Sequence, residues 1–123
     1  MKEVYSKDLS YQVMAAAFEV HNILGSGFLE KVYENALRHE LQQKAIHVES
    51  QKEIAVCYKG QNVGTYCPDL VVNNEIILEL KATETLSRQH AAQMLNYLKA
   101  TGVKLGILIN FGSTKVEFKR FVL

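Results

Sequence analysis

Apolar residues recur every three or four positions in the first third of the chain, which is the spacing of amphipathic helices. The pattern predicts one helix over residues 10–24, with Ser10 as its N-cap and Gly25 as its stop, and a second helix over residues 28–44. The side chains expected to face the core are Val13, Ala16, Ala17, Val20, Ile23 and Leu24 in the first helix and Leu29, Val32, Tyr33, Ala36, Leu37 and Leu41 in the second.

The middle of the chain changes to an alternation of apolar and polar residues, which is the two-residue period of a β-strand. The predicted strands cover residues 53–59, 63–72, 76–81, 103–111 and 115–122, the last of them at a sheet edge. A third helix is predicted over residues 87–100, and its inward side chains are Ala91, Met94, Leu95 and Leu98. The order α, α, β, β, β, α, β, β predicts an α/β (α+β) fold in which helices flank a mixed sheet.

Length and charge narrow the classes of function. A chain of 123 residues suits a single domain over residues 1–123. Its 14 basic and 13 acidic residues give a formal charge of +1, which argues against non-specific DNA binding over a large surface. Lys115, Lys119 and Arg120 form a local basic cluster, for which solubilising charge on an edge strand is the favoured interpretation and contact with a phosphate backbone the alternative.

Cysteine use and hydropathy point to an intracellular setting. Cys57 and Cys67 are the only cysteines, and their spacing fits neither a redox pair nor a zinc site. We expect both to be reduced and packed as small apolar residues. The chain shows no apolar signal core and no apolar run of bilayer length, which predicts a cytoplasmic protein without a membrane partner.

The strand over residues 76–81 carries the first candidate chemistry. Glu79 and Lys81 project from one side of this strand, because strand side chains alternate between faces. An isolated acid and base at this spacing more often form a surface ion pair. Asp69 changes the picture, because it precedes the same strand across a predicted hairpin.

The register of this hairpin decides whether Asp69 joins the pair. A two-residue turn at Asn73-Asn74 would place Asp69 on the face away from Glu79. A three-residue loop would place Asp69 opposite Glu79 and put the aliphatic side chains of both strands on one face. Because burial specifies register strongly, we predict the second arrangement, through a loop of odd length or a bulge near Pro68.

Two carboxylates on one face repel each other, so keeping both ionised requires a cation, either Lys81 or a metal ion. Carboxylate oxygens with open water positions are the ligands that Mg²⁺ and Mn²⁺ prefer. A metal bound there could activate water and stabilise charge on a phosphoryl oxygen. Lys81 could position or deprotonate that water, or neutralise the transition state.

Several motifs together resemble a known family. Pro68-Asp69 followed by Glu79-Leu80-Lys81 resembles the PD-(D/E)XK nuclease signature, and the element order is similar to the restriction-endonuclease-like core of that superfamily. Residues 27–33 read G-F-L-E-K-V-Y and resemble the G-x-x-E-x-x-Y signature of the GxxExxY family of small prokaryotic proteins. The stretches that also resemble this family are residues 58–60, 93–98 and 109–112.

The resemblance implies metal-dependent cleavage of a phosphodiester bond, with Mg²⁺ or Mn²⁺ as the cofactor. Asp69, Glu79 and the backbone carbonyl of Leu80 would be metal ligands, and Lys81 would be the catalytic base or an electrostatic helper. In the superfamily an acid from the leading helix often joins the site, and Glu30 is the candidate here.

Other residues are candidates for additional or supporting roles at the site. Glu30 is predicted to lie on the rim of the apolar face of its helix and to be partly desolvated, whereas Glu34 points further toward water. The resemblance suggests that Gln93 and Tyr97 contact the scissile phosphate or orient the lysine, and a polar helix flank is an equal alternative. Tyr33 is expected in the core, with its hydroxyl bonded to a site carboxylate or to the backbone.

The favoured function is a metal-dependent nuclease, with DNA as the expected nucleic-acid partner. A homodimer presenting two sites would compensate for the small size of the chain. The alternative is a catalytically weak or inactive nuclease-fold module that binds nucleic acid or a protein partner, and a third hypothesis is a phosphodiesterase for small substrates. The presence of Asp69, Glu79 and Lys81 together favours the enzyme.

Overall fold

The computed structural model describes the backbone of residues 2–123 and the side chains of residues 7–123. Its helices are α1 (Lys2–Leu24), α2 (Glu30–Gln43) and α3 (Arg88–Thr101). All three were predicted, but α1 begins well before the expected position. Ser10 therefore lies inside α1, where it is buried, and does not cap the helix. Gly25 does end α1, with a left-handed φ of +71°.

The strands divide between a mixed five-stranded sheet and a separate two-stranded hairpin. Their bounds are β1 (Val48–Ser50), β2 (Ile54–Tyr58), β3 (Gln61–Tyr66), β4 (Leu70–Val72), β5 (Ile76–Lys81), β6 (Leu105–Asn110) and β7 (Glu117–Val122). The large sheet has the order β1-β4-β5-β6-β7, and only β5 and β6 run parallel within it. The predicted mixed sheet is therefore confirmed, with β7 at an edge as expected.

The structure corrects two strand predictions. The strand expected over residues 63–72 is two strands, because β3 belongs to the hairpin and β4 to the large sheet. The chain changes sheets at Cys67-Pro68-Asp69, where proline has no N–H to continue a ladder. The short strand β1 was not predicted, since its three residues offer no period to recognise.

Helices cover both faces of the large sheet. The helices α1 and α2 pack on one face, in a cluster that includes Val13, Leu37 and Leu78. On the other face α3 and the inner side of the β2–β3 hairpin pack around Ile77 and Met94. Because side chains of β5 alternate between these clusters, Glu79 and Lys81 share the α3 side with Ile77.

Several apolar side chains expected in the core are exposed. The predicted inward residues that the structure leaves at the surface are Ile23 (73% exposed), Leu29 (79%), Val32 (37%) and Leu95 (36%). They occupy the margins of helical stripes whose centres are buried. Cys57 and Cys67 are free thiols but are also exposed, so the expectation that they pack as core residues was wrong. The outer face of the β2–β3 hairpin, where Cys57 lies, has no layer above it within residues 7–123.

The basic residues near the C-terminus are exposed as expected, but Lys119 and Arg120 lie on opposite faces of β7 because strand side chains alternate. Lys119 and Arg120 are exposed on the edge strand β7, and Lys115 is exposed in the turn before it. Within the part of the chain that the structure describes, none of the helices is long and apolar enough to span a bilayer.

Candidate active site

The register predicted for the β4–β5 hairpin is confirmed. Leu70 pairs with Leu78, and the connecting loop holds the three residues 73–75. The first two loop residues are asparagines with positive φ, a conformation that asparagine tolerates better than most residues. Continuing the ladder by one residue sets Asp69 opposite Glu79, so the two carboxylates meet at one end of β5.

Asp69 is attached to β5 by a direct hydrogen bond. Its Oδ2 accepts the backbone N–H of Leu80 at 2.7 Å. The N–H and C=O groups of one strand residue point to the same edge, so the Leu80 carbonyl also points toward Asp69. Asp69 Oδ2, the Leu80 carbonyl and the carboxylate opposite therefore surround one small region.

Glu79 is held by a residue that the sequence analysis did not single out. The hydroxyl of Tyr66 donates to Glu79 Oε1 at 2.5 Å. Tyr66 is the last residue of β3 and is only 7% exposed. It was overlooked because it ends a predicted strand and no motif contains it. A usable signal was its position three residues before Asp69, on the segment that leads into the site.

Burial raises the pKa of Glu79 to about 7, against the lowering effect of the Tyr66 hydrogen bond. The pKa of Asp69 is also raised, first by burial and then by the nearby charges of Glu34 and Glu30. The Leu80 N–H and Lys81 act in the opposite direction on Asp69. Two carboxyl groups with raised pKa values at one place mark a site that favours an added cation.

Lys81 lies near both carboxylates without a direct ion pair. Its charge lowers the pKa of Asp69 and of Glu79, yet no salt bridge to Lys81 forms among the described side chains. Its backbone is fixed, since the Phe111 N–H donates to the Lys81 carbonyl at 2.9 Å. The side chain of Lys81 is partly exposed.

A buried amide fastens the chain beyond Lys81. Asn110 is fully buried and pairs with Lys81 in the β5–β6 ladder. Its Oδ1 accepts the N–H groups of Thr83 and Gly112, at 2.9 and 3.1 Å. Its Nδ2 donates to the Thr83 carbonyl and to Glu117 Oε1, both at 2.9 Å. This network sets where β5 ends and hence where Lys81 projects.

The structure reverses the predicted exposure of Glu30 and Glu34 on α2. Glu34 is 8% exposed and its Oε2 accepts from Lys31 Nζ at 2.8 Å, whereas Glu30 is exposed. The inward stripe of α2 runs through Tyr33 and Leu37, and Glu34 lies beside it. The first three residues of the helix, 30–32, are all exposed, so the prediction that Glu30 is the more desolvated acid was wrong.

The supporting residues differ in their relation to the site. Tyr97 stacks on Tyr66 with ring centroids 3.7 Å apart, which brings it next to the partner of Glu79. Gln93 is exposed one turn earlier on α3. Tyr33 is fully buried, and its hydroxyl donates to the Gly25 carbonyl at 2.6 Å, as the backbone option predicted.

Comparison with known proteins identifies the family. A protein-family model for the PD-(D/E)XK nuclease superfamily matches residues 7–121. The chain belongs to the PD-(D/E)XK nuclease superfamily. The nucleases of this superfamily are generally dependent on divalent metal ions. A search of curated proteins gives no match.

A solved structure has a fold similar to that of this chain. The crystal structure of SSO0001 is similar to this chain, with a TM-score of 0.55 and 18% sequence identity. The match covers 75% of this chain and 48% of that protein, so this chain spans about half of its length. At this identity the likeness concerns the fold.

The cluster at the end of β5 offers a donor set that suits a hard divalent cation. Asp69, Glu79 and the Leu80 carbonyl are all oxygen donors, and Mg²⁺ typically binds one or two carboxylates and keeps several waters. Among residues 7–123 no three His, Cys, Asp or Glu side chains gather closely enough to hold a metal ion. Glu30 therefore does not complete a three-carboxylate cluster with Asp69 and Glu79 in this structure.

Proposed function

We propose that this protein is a Mg²⁺- or Mn²⁺-dependent nuclease that uses Asp69, Glu79 and Lys81. The observation that carries the proposal is the convergence of Asp69 and Glu79, which the hairpin register brings together at one end of β5. Burial opposes the ionisation of both carboxyl groups, and no cation contacts either of them among the described side chains. A site that must hold two half-buried negative charges favours a divalent metal ion.

The proposed roles follow from position. Asp69, Glu79 and the Leu80 carbonyl are the metal ligands, and a bound Mg²⁺ or Mn²⁺ would supply Lewis acidity and an activated water. Lys81 lies two residues beyond Glu79 on the same face, where it can accept the proton of that water or neutralise the phosphoryl oxygens. Tyr97 and Gln93 flank this face on α3 and would contact the substrate phosphate.

DNA is the proposed substrate, and the GxxExxY family is the proposed narrower assignment. The motif at residues 27–33 supports that family, and its tyrosine, Tyr33, has a structural task in the turn between α1 and α2. Lys119 is exposed on the α3 side of β7, the side that carries Glu79 and Lys81, and is available to a phosphate backbone. Arg120 lies on the opposite face of β7, where its guanidinium donates to Ser10 Oγ at 3.3 Å. The second candidate, an inactive module that binds nucleic acid or a protein, is less supported because all three acid–base groups are in place.

The test is cleavage of labelled single- and double-stranded DNA and RNA with Mg²⁺ or Mn²⁺, comparing the wild type with Lys81→Ala. We expect cleavage that requires the metal and falls by at least about 10²-fold in the variant, the range for loss of general acid–base catalysis. Lys44→Ala is the matched control, because this exposed lysine caps the C-terminal end of α2 and lies outside the basic cluster of Lys115, Lys119 and Arg120.

Each outcome of the cleavage assay has a distinct meaning. Equal cleavage by the wild type and Lys81→Ala would point to a contaminating nuclease and remove the support for the site. A folded wild type that binds Mn²⁺ and DNA without cutting would favour the inactive binding module. A loss in Lys44→Ala as large as in Lys81→Ala would show that charge anywhere on the surface limits the assay.

Glu30 and Glu34 of α2 are expected to make separable contributions to metal binding. We propose Glu30 as an outer ligand that acts through water, since it is exposed and its charge reaches Asp69. Glu30→Gln is expected to weaken Mn²⁺ binding by about tenfold, the effect of losing an outer-shell partner. Glu34→Gln should change it less, because Lys31 already occupies Glu34 Oε2. Titration calorimetry that finds the reverse order would assign the role to Glu34.

A further inference from the structure

The segment that leads from the β2–β3 hairpin into the large sheet is fastened to β5 at two points. At one point Asp69 Oδ2 accepts the Leu80 N–H at 2.7 Å. At the other the Tyr66 hydroxyl donates to Glu79 Oε1 at 2.5 Å. One contact positions the Asp69 carboxylate and the other positions the Glu79 carboxylate.

The Tyr66 ring is itself fixed by packing. It lies flat against the ring of Tyr97 on α3, with centroids 3.7 Å apart and planes 17° apart. It belongs to the same buried cluster as Ile77 of β5, with Ile54 and Val56 of the hairpin packed against it. Because the ring is stacked on Tyr97 and belongs to this buried cluster, packing fixes the position of its hydroxyl group beside Glu79.

We propose that Tyr66 is a positioning residue of the active site, which holds Glu79 Oε1 so that Oε2 is presented to the divalent cation. This inference rests on the proposed metal-dependent function. A flexible carboxylate would have to be ordered when the metal binds, and a hydrogen bond to its other oxygen removes that cost in advance. The β2–β3 hairpin, which lies outside the large sheet, thereby becomes part of the metal site.

A purely structural role for the Tyr66 hydroxyl makes a different prediction. Buried hydroxyl groups are generally hydrogen-bonded, so the contact with Glu79 could serve only to satisfy Tyr66. In that case, removing the hydroxyl would lower the melting temperature and leave the metal affinity unchanged. A positioning role would instead weaken metal binding by a larger factor than any change in folding explains.

Tyr66→Phe separates these roles, because phenylalanine keeps the ring against Tyr97 and loses only the hydroxyl. We expect the Kd for Mn²⁺, measured by titration calorimetry on the full chain, to rise about 10- to 100-fold, which is the usual effect of losing a second-shell partner. The control is Tyr58→Phe on the same hairpin, since Tyr58 is 60% exposed and should leave the Kd unchanged.

A double-mutant cycle with Glu79→Gln tests whether the effect passes through Glu79. In the Glu79→Gln background, Tyr66→Phe should produce no further loss of Mn²⁺ affinity, because the carboxylate that Tyr66 positions is gone. If Tyr66→Phe is too unstable to measure, the titration is repeated with trimethylamine N-oxide, an osmolyte that strengthens burial and so stabilises the folded variant. The same 10- to 100-fold loss is expected for that variant.

The outcomes distinguish this inference from the proposed function. Wild-type affinity in Tyr66→Phe, with Mn²⁺ still bound, would overturn the positioning role and leave the nuclease proposal standing. An equal further loss in the Glu79→Gln background would also overturn it, since Tyr66 would then act elsewhere. A wild type that binds no Mn²⁺ would overturn both.

Discussion

Asn110→Ala is expected to lower the free energy of unfolding by about 3 kcal/mol or more, which is the scale for leaving several buried polar groups unpaired. The substitution removes the acceptor for two backbone N–H groups and the donor to the Thr83 carbonyl. Because Asn110 is fully buried, water cannot replace these partners without opening the structure. Urea unfolding followed by circular dichroism gives the change as a shift in midpoint at constant slope.

Asn96→Ala provides the matched control for this experiment. Asn96 is exposed on α3, so its replacement by a good helix former should change stability by no more than about 0.5 kcal/mol. A loss below about 1 kcal/mol in Asn110→Ala would show that the loop after β5 reorganises readily. In that case Asn110 could not be what fixes the end of the strand that carries Lys81.

The Asn110 network also explains in physical terms why residues 110–112 read N-F-G. A Cβ on Gly112 would lie 2.2 Å from the Thr83 carbonyl oxygen, so the chain passes too close for any larger residue. The ring of Phe111 stacks on Tyr33 with centroids 4.7 Å apart. This part of the family resemblance therefore concerns the architecture that supports the site, and the reacting groups lie on β5 and just before β4.

Burial made the central feature of the site predictable from sequence. A slip of one residue in the β4–β5 hairpin would have moved an entire set of aliphatic side chains to the wrong face. That large penalty left one acceptable register, and the structure has it, with Leu70 opposite Leu78. The opposition of Asp69 and Glu79 followed from the same argument without any information about their chemistry.

Features set by a small rotation or by a distant partner were not predictable in this way. Glu30 and Glu34 lie one helical turn apart on α2. Which of the two is buried depends on where the first turn of α2 lies relative to the sheet. Tyr66 was missed because its role depends on where the β2–β3 hairpin packs, which no local period records. The predicted strand over residues 63–72 is divided near Pro68 for the same reason, because β3 packs as part of the hairpin and β4 as part of the large sheet.

Glu79→Gln is expected to abolish cleavage and at the same time to stabilise the metal-free protein at pH 8. The loss of activity should be about 10³-fold or more, because a metal ligand disappears with the charge that attracts the ion. The gain in stability follows from burial, which raises the pKa of Glu79 in the folded protein to about 7. The unfolded chain ionises this group near its ordinary value, and the folded chain must ionise it where ionisation is unfavourable.

The free energy of unfolding of the metal-free wild type falls as pH rises. Between the unfolded pKa of about 4.5 and the folded value of about 7, the folded protein binds more protons, so its stability falls as pH rises through this window. Glu79→Gln removes that dependence, and at pH 8 the variant should be more stable by about 2–3 kcal/mol. Tyr66 can still donate to the glutamine carbonyl oxygen, so its hydrogen bond is retained.

Urea unfolding of the wild type and Glu79→Gln in a metal chelator, at pH 5 and at pH 8, measures this difference in stability. Glu53→Gln is the control, because Glu53 is exposed and precedes β2. The two curves for wild type and Glu79→Gln should differ by less than about 1 kcal/mol at pH 5, near the unfolded pKa, and by the full 2–3 kcal/mol at pH 8. Adding Mn²⁺ at pH 8 should restore stability to the wild type alone, because the ion replaces the missing positive charge. If Glu79→Gln is less stable than the wild type at pH 8, the ionised Glu79 carboxylate stabilises the fold. That result would contradict the prediction that Glu79 is an unfavourable buried charge kept for metal binding.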